Sequence, residues 1–147
     1  MATIEEDLLS DEGLRLQVYD DATGKPLRKG MVLLGNPTIG IGRNCANPGI
    51  SRIEALMLLA NDLVERRTAL QKALPWFLQL SPIRQNALLN MSFMGVRKLL
   101  TFKNMLWYCK EGNYEKAAQH ILNSKWARDV KVKRANRVAH MMRTGTE

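Results

Sequence analysis

From Ser51 to Pro75 the chain keeps one apolar stripe, and that stripe limits what it can fold into. Ile53, Leu56, Met57, Ala60, Leu63, Val64, Leu70 and Leu74 recur at the 3.6-residue period of an α-helix. Ser51-Arg52-Ile53-Glu54 opens the run as a capping box, with the serine hydroxyl and the glutamate carboxylate able to satisfy each other's backbone N–H. Pro75 stops the run, because it has no N–H to continue the hydrogen-bond ladder. At ~1.5 Å per residue the helix would be roughly 35 Å long. That is long for a chain of 147 residues, and it predicts two small lobes joined by a helix rather than one round core.

The two flanks of this helix differ in texture. Ile4, Leu8 and Leu9 fall at helical spacing, so a short N-terminal helix is expected to end near Gly13. From Leu14 to Gly42 the apolar residues alternate instead (Leu14, Leu16, Val18, then Thr38-Ile39-Gly40-Ile41), broken by Gly24, Pro26, Gly30, Gly35 and Pro37. Alternation punctuated by turn residues predicts a two- or three-stranded antiparallel sheet. Beyond Pro75 the chain reads as short helices. Ser81-Pro82 opens one that ends near Gly95, Thr101 another running toward Gly112, and Asn113 a third that buries Tyr114, Ala117, Ala118, Ile121 and Leu122. A basic helix carrying Ala135, Val138, Ala139 and Met142 closes the chain. The expected class is α+β and mainly helical. Residues 13–50 form a β-containing lobe, 51–74 the connecting helix and 75–147 a helical lobe packed with 1–12, with a cleft between the lobes.

Composition narrows the partners. The net charge of +8 favours an acidic polymer: nucleic acid, an anionic membrane or bacterial cell wall. The sign is uneven, since residues 1–24 hold seven acids against Arg15 alone, whereas Lys125, Arg128, Lys131, Lys133, Arg134, Arg137 and Arg143 crowd the last third. Such separation suits a cleft better than a uniform adhesive surface. Cys45 and Cys109 lack metal-ligand spacing and read as reduced thiols. His120 and His140 are too few for a histidine-rich metal site, and Trp76, Trp107 and Trp126 lie in apolar helical contexts that read as core. No cofactor or metal is expected. The acidic start lacks the apolar region of a signal peptide, and no run approaches the ~20 apolar residues of a membrane span.

The chemistry gathers near the N-terminus. Glu12 and Asp21 stand nine residues apart, followed by Thr38-Ile39-Gly40-Ile41-Gly42. Cleaving a glycosidic bond needs one carboxyl to protonate the leaving oxygen and another acting on the opposite face of the sugar. Glu12 falls in the last turn of its helix, where the dipole disfavours negative charge. Asp20 competes with Asp21 as the second acid, and Asp21-Ala22-Thr23-Gly24 also reads as a β-turn. Taken singly, Glu12 is a surface acid and Thr38 an ordinary strand residue; together they form a constellation. The segment Asp11-Glu12-Gly13-Leu14-Arg15-Leu16, then Tyr19, Asp21 and Thr38 to Gly42, resembles the active-site segment of the phage lysozymes of the T-even type, glycoside hydrolase family twenty-four. The resemblance continues through Asn90-Met91-Ser92-Phe93-Met94-Gly95, Ser124-Lys125-Trp126, and Arg134-Ala135-Asn136-Arg137-Val138 with Arg143-Thr144-Gly145-Thr146.

That resemblance implies an inverting hydrolase of the β-1,4 bond between N-acetylmuramic acid and N-acetylglucosamine. Glu12 would be the general acid, while Asp21 with Thr38 would activate or position a water. It implies that Asn44, Phe93, Met105 and His120 line the saccharide cleft, although Met105 and His120 depart from the family's residue types. Arg134 would approach Glu12. Two further departures are the long Ala22–Pro37 segment and Arg43, which stands where the best-known members have histidine, so that an ion pair made there must be rebuilt or lost. The implied partner is bacterial peptidoglycan. The enzyme is expected to be a monomer that waits in the host cytoplasm, depends on a holin without stably binding it, and then acts at the wall from the periplasm. A lytic transglycosylase uses one acid and no water, so Asp21 and Thr38 argue against it. Nucleic-acid binding through Lys131, Lys133, Arg134 and Arg137 is not expected, because it leaves the acidic N-terminal segment unexplained.

Overall fold

A computed structural model describes residues 3–147; Met1 and Ala2, the start of the acidic N-terminal segment, lie outside the described residues. Eight α-helices and one three-stranded sheet are present among them, in agreement with the expected lysozyme-like α+β class. The chain divides into two compact units, one ending at Leu58 and the other running from Leu59 to Glu147. The division falls inside the long helix rather than at its ends.

The first unit opens with α1 (Ile4–Glu12), started by a capping box in which Thr3 and Glu6 satisfy each other's N–H groups. Gly13 ends it at φ 70°, a conformation that suits glycine, and donates its N–H to Leu9 O. Next come β1 (Arg15–Asp20), β2 (Pro37–Gly40) and β3 (Arg43–Asn44), antiparallel in the order β1-β2-β3. Tyr19 pairs with Thr38, and Thr38 with Asn44, which sets those three residues in a row across the sheet. The expected alternation is there, but burial is not where the leucines are. Leu14 and Leu16 are exposed, whereas Tyr19 and Asp20 are buried. The 22–36 segment returns onto the far end of β1: Tyr19 bridges Pro26, and Leu27 N–H donates to Val18 O.

The long helix α2 (Arg52–Ala73) has its capping box in place, Ser51 N–H to Glu54 Oε2 at 2.7 Å and Glu54 N–H to Ser51 Oγ at 3.1 Å. Its stripe is covered only near the C-terminal end, where Leu70 and then Leu74 are buried; Ile53, Leu56, Met57 and Val64 are exposed. Periodicity names the apolar face of a helix but not the length over which something covers it.

The second unit is built from α3 (Pro82–Met91), α4 (Val96–Leu99), α5 (Lys103–Lys110), α6 (Tyr114–Leu122), α7 (Lys125–Asp129) and α8 (Val132–Thr144). Leu70, Phe77, Leu88, Met91, Leu99, Met105, Ile121, Val138 and Met142 are fully enclosed in its core. Ser81 and Asn113 cap α3 and α6 as expected. Thr101 does not cap α5: its hydroxyl donates back to Lys98 O at 2.7 Å, so the helix waits until Lys103. Leu122 is partly exposed rather than buried, and α4 and α7 are too short to leave a periodic signal. Trp126 is core, but Trp107 is 55 % exposed, contrary to expectation. Cys45 and Cys109 are free thiols. Cys109 lies between the Met105 and Met142 sulfurs, and burial pushes its pKa up to about 12, which keeps it a thiol. No helix of the described residues is long and apolar enough to cross a membrane.

Candidate active site

In the first unit the two aspartates that follow β1 take different tasks. Asp20 is fully enclosed. Its carboxylate accepts Leu34 N–H at 2.8 Å on Oδ2, and Gly35 N–H at 2.9 Å and Ala22 N–H at 3.0 Å on Oδ1. These donors, Leu34 foremost, hold the carboxyl below the usual aspartate range against the opposing effect of burial. Asp20 therefore pins both ends of the 22–36 excursion to the strand.

Asp21 is exposed, and its side chain hydrogen-bonds to Asn36. Asn36 donates its backbone N–H to Asp21 Oδ1 at 2.7 Å and its side-chain amide to Oδ2 at 3.2 Å. The Asn36 carbonyl then accepts twice, from Asp21 N–H at 3.1 Å and from the Thr38 hydroxyl at 3.2 Å. One asparagine thus couples the exposed carboxylate to the threonine hydroxyl. The approach is possible because residue 35 is glycine: a Cβ there would collide with Asp21 Oδ1 and stand 2.7 Å from Ala22 Cβ. Thr38 is buried, and its pairing with Asn44 brings that side chain alongside. The Asn44 Oδ1 atom is committed to its own turn, accepting Ala46 N–H at 2.8 Å and Asn47 N–H at 3.2 Å.

Glu12 ends α1 and is exposed. Its carboxylate lies over Gly42, where an added Cβ would stand 3.0 Å from Oε2; Gly42 also has φ 70°, so a side chain there is opposed twice. The two glycines of Thr38-Ile39-Gly40-Ile41-Gly42 therefore have separate reasons. Gly40 takes φ 69° with open space beside it, whereas Gly42 makes room for the acid. Next to it, Arg43 forms a two-pronged pair with Glu54 (2.9 and 3.2 Å) and donates to Gly49 O at 3.0 Å. An arginine at this position thus has an ion pair of its own. Ser51 N–H, with Arg43 adding to it, holds Glu54 below the usual glutamate range.

The second unit places its candidate residues in two cavities. Phe93 and Arg134 line one of about 430 Å³ together with Asn90, Arg67, Leu59 and Leu63. The Arg66 guanidinium covers the Phe93 ring at 4.2 Å, and Arg134 donates to Asn90 Oδ1 at 2.9 Å and to Asn90 O at 3.0 Å. Met105 and His120 line another of about 330 Å³. Met105 is core, 1 % exposed, and His120 lies against the Tyr108 ring at 5.2 Å.

Residues 10–140 match the phage lysozyme family. The chain belongs to that family. It is 34 % identical, over 95 % of its length, to the pre-baseplate central spike protein Gp5 of Enterobacteria phage T4, of which it spans about a quarter (27 %). It is 30 % identical to probable T4-type lysozyme 1 of Dictyostelium discoideum, covering 99 % of this chain and 96 % of that protein. The chain is thus a lysozyme, a glycoside-hydrolysing enzyme.

Sequence reasoning named Glu12, Asp21 and Thr38 but missed the residue that links two of them. Asn36 stands in Gly35-Asn36-Pro37 and reads as turn punctuation. Only the distance between Asp21 and the returning chain reveals its contacts.

Two outcomes are expected. Asn36→Ala should lower kcat by about tenfold with KM little changed, since it removes the side-chain amide's bond to Asp21 Oδ2 and leaves the main-chain bonds of residue 36 in place; unaltered kcat in steady-state assays would contradict this. For Asp20 the folded-state pKa is depressed, so its stabilisation is complete above the unfolded value near 3.8 and is lost as pH falls through the folded value. Thermal melts should therefore show stability falling below about pH 4 in the wild type, and a lower but flatter profile there in Asp20→Asn.

Proposed function

We propose that the chain is a muramidase that hydrolyses the β-1,4 bond between N-acetylmuramic acid and N-acetylglucosamine with inversion. Glu12 protonates the glycosidic oxygen. Asp21 positions and activates the attacking water, and Thr38 helps to hold it. The observation that carries this reading is the Asn36 bridge. It fixes both oxygens of an exposed carboxylate, and its carbonyl accepts the hydrogen bond that the Thr38 hydroxyl donates, leaving that oxygen's lone pairs to accept from a water. Inverting hydrolases need a fixed, solvent-reaching base of this kind, because the nucleophile is water rather than the carboxylate itself.

Asn44, Phe93 and His120 contact the saccharide, and Met105, named with them from the sequence, forms the buried floor of the cavity that His120 lines. Arg134, which lines the Phe93 cavity, is a supporting residue. The net charge of +8 favours the anionic wall. Acting as a monomer, the enzyme waits in the host cytoplasm and reaches the periplasmic wall once a holin opens the membrane, so that its product is host lysis.

Glu12→Gln is expected to cut turnover of purified Gram-negative peptidoglycan by at least about 10³-fold with an unchanged melting temperature, the scale of a lost general acid. Turnover like that of the wild type would remove Glu12 from its role. Asp21→Ala should fall as steeply; undiminished turnover with anhydro-muramic ends, read by mass spectrometry, would make the enzyme a transglycosylase.

A further inference from the structure

The second unit carries a strip of surface that the hydrolytic chemistry does not use. Trp107 on α5 is 55 % exposed, and Trp76 is half-buried beside it. Both indoles line a cavity of about 400 Å³ with Leu100, Leu106, Lys103 and Lys110. Trp76 and Lys110 continue into a neighbouring cavity of about 470 Å³ with Pro75 and Gln79. No aspartate or glutamate lines either one, in a chain with 14 acidic residues, and neither Lys103 nor Lys110 has an ion-pair partner among the described residues. Lys125, farther along, is by contrast tied to Asp129 at 2.6 Å. The Trp107 ring makes an edge-on contact with Tyr108, the ring centroids 5.0 Å apart, and more than half of the residue stays exposed.

An exposed indole of this kind costs solubility unless something covers it. Its flat apolar face suits the C–H face of a pyranose ring, and its N–H suits a ring hydroxyl. Two unpaired ammonium groups beside two indoles select rings that carry carboxylates. A neutral glycan would leave both lysines unused, and a lipid surface would call for a protruding apolar cluster rather than an indented groove.

We propose that the Trp76–Trp107 groove, with Lys110 and with Lys103 at its border with the His120 cavity, is an accessory binding surface for an anionic amino-sugar strand, the carboxylated peptidoglycan chain itself, beyond the residues that cleave it. The occupant rests on the muramidase reading; the surface does not. An accessory grip of this type keeps the enzyme on an insoluble polymer between cleavages, raising the effective concentration of the strand.

The test is the Trp107→Ala/Lys110→Glu double variant, both positions being exposed. Two measurements serve: co-sedimentation with purified Gram-negative sacculi on ice, and turnover of sacculi against turnover of a short soluble glycan-peptide fragment. The proposal expects about tenfold weaker sedimentation and slower sacculus turnover, with turnover of the soluble fragment and the melting temperature unchanged. Binding within about twofold of the wild type would overturn it. So would an equal loss of turnover on the soluble fragment, or an equal loss of affinity for random-sequence DNA, which would mark an unspecific polyanion patch. If the wild type binds sacculi through this surface but cleaves nothing, the surface stands and the muramidase reading fails.

Discussion

The arrangement around the second carboxylate depends on Asp20, a charged group with no access to solvent. Burying a carboxylate is costly unless its lone pairs are met, and here three backbone N–H groups meet them. Because those donors come from Ala22, Leu34 and Gly35, the same bonds that satisfy the charge close the long excursion between β1 and β2. That closure delivers Asn36 to Asp21 and Thr38. The long 22–36 excursion therefore does not loosen the site, since its two ends are tied to a single side chain. The chemistry that Asp21 is proposed to perform rests on its neighbour doing none.

Legibility from sequence followed the kind of interaction involved. Capping boxes, helix-stopping proline and helix-ending glycine act within a few residues, so Ser51–Glu54, Ser81-Pro82, Asn113 and Gly13 were readable and hold in the structure. Burial was less readable. Leu14 and Leu16 carry the strand pattern yet face solvent, and Trp107 lies on an apolar helix yet is exposed. Each reflects what a distant segment covers, which local pattern does not encode. At the site, the resemblance to the phage lysozymes singled out Asp21 over Asp20, but nothing in Asp20-Asp21 says which carboxyl turns inward. The reciprocal contacts of Asn36 join positions fifteen residues apart across a turn-rich segment without periodicity, and they became visible only in three dimensions.

The second unit illustrates a different lesson. Its candidate residues do not form one cluster: Phe93 and Arg134 share one cavity, Met105 and His120 another. Met105 is packed into the core against Cys109 rather than presented to solvent. The polar character of that cavity thus comes from His120, from Thr101, Asn104, Asn123 and Ser124, and from Lys103 and Lys125.

The central claim is that Asp21 and Thr38 direct a water to the sugar rather than form a bond with it. Proton NMR of the reducing ends released from a defined β-linked glycan, recorded before mutarotation, tests this most directly. The account predicts that the first-formed end is the α-anomer. A first-formed β-anomer would mean retention through a covalent or substrate-assisted intermediate, and the Asn36-anchored carboxylate would not be a water-positioning base.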